Sequence, residues 1–221
     1  KTATDENFSG VESVVAHEYF HNWTGNRITC RDWFQLTLKE GLTVLRDQLF
    51  SQDMNSSAVE RIHQVMSLKQ RQFVEDAGPT AHPIRPSSYI EINNFYTATI
   101  YDKGAEVIRM LQTMVGPHGF RKAMDKYISL YDGQAVTTED FLHAFEVSCA
   151  IDLTSFKRWY QQAGTPTVKA DWKYTAHTEE FHLTLEQVSH DCLPMPIHVG
   201  LLDKNGVDIE TKLLEFNTEK H

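Results

Sequence analysis

Four side chains near the start of the chain have the types and spacing for metal-assisted hydrolysis: His17, Glu18, His21 and Glu40. On an α-helix, positions four apart stack on one face, so both imidazoles can reach a single ion. Glu18 is rotated about 100° from His17, near enough to reach a water on that ion without binding the ion itself. This is an HExxH pattern, in which the two histidines hold zinc and the glutamate acts as base. Eighteen residues separate His21 from Glu40. Glu40 would complete a set of two imidazoles and one carboxylate, leaving a fourth position open for water or substrate, as catalytic zinc requires. One Zn2+ per chain is the expected cofactor. The plainer alternative, two ordinary core histidines, does not explain a glutamate between them and a second one downstream.

The elements that must position these groups are mostly helices. A first helix is expected from residue 7 or 9 to 23, with Val11, Val14, Val15 and Ala16 as an apolar surface suited to a buried active-site helix. Gly25 and Asn26 supply its stop. A second helix carries Leu36, Leu38, Leu42, Leu45 and Leu49 together with Glu40. Gly41 in its interior costs roughly 1 kcal/mol against alanine, which a close approach of another backbone or of the metal site would explain. Ser57 and Glu60 read as a capping box opening a third helix. Its apolar face is Val59, Ile62, Val65, Met66 and Phe73, with Arg61, Gln64, Lys69 and Arg71 as the solvated side.

Pro79, Pro83 and Pro86 make residues 76–94 an ordered loop. Helices are then expected from about 96 to Gly116-Pro117, from 118 to 130, from 139 to 149 with Thr137 or Thr138 as N-cap, and from 154 to 163. After Thr165-Pro166 the period changes to two. Residues 181–188 alternate as a half-buried strand, and residues 197–210 read as a hairpin turning at Asn205-Gly206. The fold class is therefore α+β, a helical lobe over residues 1–163 followed by a β module over 164–221.

The chain has 221 residues and a formal net charge of −9, which argues against non-specific nucleic-acid binding. No apolar run is long enough to span a bilayer, so no integral membrane segment is expected. Cys30, Cys149 and Cys192 are an odd number without a CxxC pair, which favours a reducing, cytoplasmic setting over a disulfide framework. The chain starts at Lys1 without methionine and reads as a segment of something longer.

Longer blocks then carry a resemblance. His17-Glu18-Tyr19-Phe20-His21-Asn22-Trp23-Thr24-Gly25-Asn26-Arg27, Lys39-Glu40-Gly41-Leu42-Thr43, Asn93-Asn94-Phe95-Tyr96-Thr97 and Tyr101-Asp102-Lys103-Gly104-Ala105-Glu106 closely resemble the bacterial aminopeptidase N family of gluzincins. So do His82-Pro83-Ile84-Arg85-Pro86 and Arg158-Trp159-Tyr160-Gln161-Gln162-Ala163-Gly164-Thr165-Pro166. HExxH alone occurs by chance; HExxH with Glu40 and these blocks does not. The resemblance implies that the helical lobe is the C-terminal part of a thermolysin-like zinc peptidase domain, and that the β module begins a small sandwich, short for a complete one. It implies a zinc metalloaminopeptidase of the alanyl aminopeptidase type, acting on the N-termini of peptides. The family's GxMEN motif, whose glutamate helps hold the substrate amino group, is absent from this sequence, as are an N-terminal β domain and a large C-terminal helical domain. The fragment alone is therefore expected to be weakly active or inactive.

In these roles His17, His21 and Glu40 are the metal ligands and Glu18 the general base. Tyr101 matches the family's catalytic tyrosine, which donates to the oxyanion; residue physics alone does not choose it over Tyr96, Tyr89 or Tyr19. Asp47, two turns beyond Glu40, either accepts a hydrogen bond from a ligand histidine or pairs at the surface with Arg46 or solvent. Asn22, Arg27, Asn93 and Asn94 line a cleft or serve packing and turns. The remaining histidines, among them His63, His82, His118 and His190, lack partners at ligand spacing and are expected to be structural or exposed. Two other readings stand beside the aminopeptidase: a related gluzincin endopeptidase, and a folded domain without metal or activity of its own.

Overall fold

The computed structural model describes residues 4–188 and 192–216, so His190 lies outside the described residues. The chain divides into two compact units, residues 1–153 with 159–164, and residues 154–158 with 165–221.

The first unit is helical. Helix α1, Phe8–Phe20, packs along α2, Leu36–Met54. Between them residues 21–35 fold back through a set of backbone bonds, including Asn26 N to His21 O and Ile28 N to Trp23 O. Gly25, at φ 144°, makes the bend that only glycine takes without strain. Helix α3, Ser57–Ser67, runs into a π-helical turn, Leu68–Gln72, and the short α4, Phe73–Asp76. A second π-turn, Thr99–Lys103, leads into α5, Gly104–Tyr131, which is broken at Gly116 (φ 70°) with Pro117 opening its second half. Helix α6, Thr138–Cys149, is capped reciprocally by Thr137 and Asp140, as the N-cap reading expects.

Two clusters stand out in the core of this unit. Leu36, Phe95 and Ile100 pack with Phe34 and Tyr101 at the junction of α2 with the second π-turn. Phe120, Tyr127, Phe141 and Phe145 join α5 to α6 edge to face. The expected reason for Gly41 is borne out: a Cβ there would lie 2.9 Å from the carbonyl carbon of Gly104, so α2 and α5 cross with their backbones in contact.

The second unit is β-rich. Hairpin β3–β4, Val168–Thr175 with Glu180–Gln187, precedes hairpin β5–β6, Met195–Leu202 with Asp208–Phe216, both antiparallel. (Strands β1, Thr29–Cys30, and β2, Ala135–Val136, are a two-residue parallel pair in the helical unit.) Leu185 and Gln187 of β4 are buried, and the Gln187 amide bonds both the N–H and the carbonyl of Leu193. Gly206 takes φ 79° in the β5–β6 turn. The α+β class holds, with helices in one unit and sheet in the other. No helix among the described residues is long and apolar enough to cross a membrane.

Several local expectations fail. Helix α1 is not buried: Val14 and Val15 are 55% and 62% exposed, and Ala16 is its one buried residue. One flank of the helix packs on α2 and the valines sit on another. Ser57 is not a cap, because α3 starts there with Ser56 as N-cap and no side-chain cap bond. The two faces of α3 are also partly exchanged, although Val65 is half-buried and Lys69 and Arg71, just beyond the helix, are exposed as expected. Arg61 makes two bonds to Glu106 at 2.6 and 2.7 Å and Gln64 bonds Gln52, while Val59, Ile62 and Met66 are exposed. Glu106 needs a cation inside the bundle, and the arginine supplies it. The last helix is a short 3-10 turn, Phe156–Tyr160.

Candidate metal centre

Helix geometry brings His17 and His21 together on α1, with their Nε2 atoms 3.0 Å apart. Their rings meet edge to face at 4.6 Å between centroids. Helix α2 lays Glu40 across the pair, its Oε2 3.1 Å from His21 Nε2 and 3.4 Å from His17 Nε2. Three donors at about 2.0–2.1 Å from one ion in tetrahedral arrangement lie about 3.3–3.4 Å from each other. The three observed separations fall close to that triangle, so the residues present fit a zinc-sized ion. Among the described residues this is the one group of three such side chains close enough to share an ion.

The outer nitrogens of both rings are engaged. His17 Nδ1 lies 2.7 Å from Asp47 Oδ2, and His21 Nδ1 lies 3.0 Å from the carbonyl oxygen of Thr24. A carbonyl only accepts, so His21 carries its proton on Nδ1 and its Nε2 presents a lone pair. Ionised Asp47 imposes the same tautomer on His17. Two lone pairs and a carboxylate oxygen then converge on one point, an arrangement that demands a cation or a proton. Of the two readings open for Asp47, the structure has the inward one. Arg46 instead reaches Phe20 and Thr24.

The electrostatics follow from the same convergence. Burial disfavours the charged form of His17, but its hydrogen bonds and Coulomb attraction to Asp47 and Glu40 outweigh that and lift its pKa to about 9. Burial likewise opposes ionisation of Glu40, yet its close contacts with His17, His21 and Lys39 hold its carboxyl far below the usual carboxylate range. Lys39 contacts Glu40 Oε1, the oxygen turned away from the histidines. Tyr101 sits on the second π-turn with its ring stacked over His17, 6.4 Å between centroids and 18° between planes. Burial, then the charge of Glu40, raises the phenol so that it stays a donor throughout the ordinary pH range. Glu18 follows His17 on the exposed flank of α1.

The other sequence candidates are dispersed. Arg27 bonds Asp132 through two nitrogens and stands 5.0 Å over the Trp23 ring. Asn94 caps the turn at Glu91. Asn22 and Asn93 are exposed. Cys30, Cys149 and Cys192 form no disulfide with one another. Tyr96, weighed beside Tyr101 on residue physics, has its ring 6.5 Å from that of Tyr101, whereas sequence reasoning missed Thr24 and Thr43, buried beside His21. Only the Thr24-Gly25 run, with its turn-forming glycine, could have signalled the first.

Comparison with known proteins places this centre in context. The profile of the Peptidase family M1 domain matches residues 1–160. The chain is 52% identical to aminopeptidase N of Haemophilus influenzae over 99% of its own length and 26% of that protein's. It is 51% identical to aminopeptidase N of Escherichia coli over 93% of its length and 24% of the relative's. It thus spans about a quarter of the length of the relatives it matches. Its fold superimposes on the crystal structure of Legionella pneumophila aminopeptidase A in complex with aspartic acid with a TM-score of 0.87, at 35% identity, covering 100% of this chain and 25% of that one.

Proposed function

The chain belongs to peptidase family M1, and from that premise we propose that it forms the zinc centre of an aminopeptidase. The observation that carries the reading is the convergence of His17 Nε2, His21 Nε2 and Glu40 Oε2 on one point. M1 peptidases are metal-dependent, and two imidazoles with one carboxylate are a donor set that favours zinc. Bound there, zinc would lower the pKa of a water at its open position towards 7 and polarise a peptide carbonyl.

The chain's own residues supply the rest. Glu18, one position past His17, accepts the proton of the attacking water and passes it to the leaving amine. The Tyr101 phenol donates a hydrogen bond to the oxyanion as the carbonyl becomes tetrahedral. Asp47 orients His17 and fixes its tautomer. Selection for a free N-terminus, rather than an internal peptide bond, rests on the similarity to aminopeptidases N and not on a side chain of this centre. Peptides are the substrate class, and three cysteines without a disulfide between them suit a reducing, cytoplasmic setting.

The test is Glu18→Gln in the complete protein, with zinc content and hydrolysis of amino-acid anilides and N-blocked peptides measured in parallel. The variant should hold zinc at one per chain and lose turnover, and the parent should cleave the anilides alone. Undiminished turnover in the variant would remove Glu18 from the chemistry, and cleavage of blocked peptides would favour the endopeptidase reading.

A further inference from the structure

His21 differs from His17 in having no carboxylate behind it. Its Nδ1 donates instead to the main-chain carbonyl of Thr24, three residues further on. That carbonyl also receives the Thr43 hydroxyl at 3.1 Å, and Thr43 Oγ1 is itself 3.3 Å from His21 Nδ1. The hydroxyls of Thr24 and Thr43 are 2.8 Å apart. Both residues are buried, Thr24 to 4% and Thr43 to 0% exposure.

A third residue holds this pair in place. Arg46 donates through Nη1 to the carbonyl of Phe20 at 2.9 Å and to Thr24 Oγ1 at 3.1 Å. Its guanidinium lies 4.4 Å from the Phe20 ring centroid. It therefore fastens the last turn of α1, which carries His21, to the loop that carries the Thr24 carbonyl. Gly25 lets that loop close: a Cβ at this position would sit 2.9 Å from His21 Nδ1.

We propose that Thr24, Thr43 and Arg46 form a second orienting arm of the metal centre, which locks His21 in its Nδ1–H tautomer and aims Nε2 at the ion. The arm rests on the zinc-site reading above. It divides the work on α2 between adjacent residues, Asp47 serving His17 and Arg46 serving His21 through Thr24. These are positioning residues and touch no reacting atom. A hydroxyl is required at Thr43 because its three polar neighbours, the Thr24 carbonyl, the Thr24 hydroxyl and the His21 ring nitrogen, are groups that a methyl cannot satisfy. Orienting partners of this kind are generally worth roughly 10–100-fold in metal affinity.

The experiment measures zinc affinity by competition with a chromophoric chelator for the parent, Thr43→Val, Thr43→Ser, Arg46→Met and Arg46→Lys. In parallel, nitrogen-15 shifts of the histidine rings in the metal-free protein at high pH report the tautomer. Thr43→Val and Arg46→Met should each bind zinc roughly 10–100-fold more weakly and should shift His21 towards a mixture of tautomers. Thr43→Ser should restore both readouts, which a merely volumetric role for Thr43 would not require. Parent-like affinity and tautomer in both Thr43→Val and Arg46→Met would overturn the arm while leaving the zinc site intact. Failure of the parent to take up zinc would instead overturn the reading on which the arm rests. Should Thr43→Val not fold, Thr43→Ser against Thr43→Ala decides the same question, equal affinity in the two refuting the hydroxyl's role.

Discussion

Gly41 and Gly104 touch backbone to backbone. A Cβ on Gly41 would meet the carbonyl carbon of Gly104 at 2.9 Å, and its amide neighbour Ala105 N at 3.1 Å. Gly41 directly follows Glu40, and Gly104 stands three residues beyond Tyr101. The contact therefore sets the spacing between the helix that carries Glu40 and the turn that carries Tyr101. Gly41→Ala must force the two backbones apart, and overpacking of this kind costs about 1–3 kcal/mol. Denaturant unfolding should show that loss, with turnover falling by more than stability alone explains. A Gly41→Ala protein as stable as the parent would mean the helices do not approach so closely.

In the proposed centre, a proton on His17 would compete with the metal for Nε2. Its pKa in the metal-free fold is raised to about 9 from 6.5. A raised pKa contributes stability that is fully present below the unfolded value and is lost as pH rises through the folded one. The metal-free protein should therefore lose up to about 3 kcal/mol between roughly pH 6.5 and 9. Zinc uptake near neutral pH should release about one proton, seen as a buffer-dependent heat in titration calorimetry. The released proton should vanish above about pH 9, and an uptake heat independent of buffer at neutral pH would contradict the assignment.

Lys103 and Asp76 form an ion pair that is 5% and 4% exposed, at 2.8 Å. Lys103 also donates to the carbonyl of Gly164, whose own N–H bonds Asp76 Oδ1. The pair ties the end of the second π-turn to α4 and to the end of the helical unit. Lys103 and these hydrogen bonds hold the Asp76 carboxyl below its ordinary range despite burial. Lys103→Met strands that carboxylate, and breaking a buried pair costs about 3–5 kcal/mol. The double variant Lys103→Met with Asp76→Leu should regain much of the loss. If the double variant is no more stable than the single one, packing rather than charge sets the cost.

Much of the centre was legible because it is local. Four-residue spacing on a helix dictates that His17 and His21 share a face, and no tertiary information is needed for that. Glu40 required a second helix lying across the first, which the sequence carries as spacing and as family pattern. Asp47 stayed ambiguous, since a residue two turns from Glu40 can face inward or outward with equal local sense. Helix α3 was misread for a related reason: its apolar face is periodic, but periodicity does not say which side meets the bundle, and Glu106 drew Arg61 inward. Thr43 was beyond reach, and Thr24 was signalled only by the turn-forming glycine that follows it. Their relation to His21 passes through a main-chain carbonyl, to which side-chain identity gives no clue. Strand β3 was legible and was passed over: Val168, Ala170, Trp172 and Tyr174 alternate with Lys169, Asp171, Lys173 and Thr175.

Tyr101 separates binding from chemistry. Its ring stacks on His17, yet it supplies no atom to the triangle of ligands. Removing its hydroxyl should leave that triangle whole. The phenol is held protonated by burial and by the negative charge of Glu40, so it can donate a hydrogen bond, as the proposed oxyanion role requires. Loss of one such donor typically costs about 10²–10³ in kcat. Tyr101→Phe in the complete protein should therefore retain its zinc and nearly the parent KM while kcat falls by that factor. Because the raised phenol pKa lies beyond the range in which peptidases are assayed, the alkaline limb of the parent's pH–rate profile should belong to another group and persist in Tyr101→Phe. A KM that rises with kcat unchanged would assign Tyr101 to substrate binding, and zinc loss in the variant would assign the ring to support of His17.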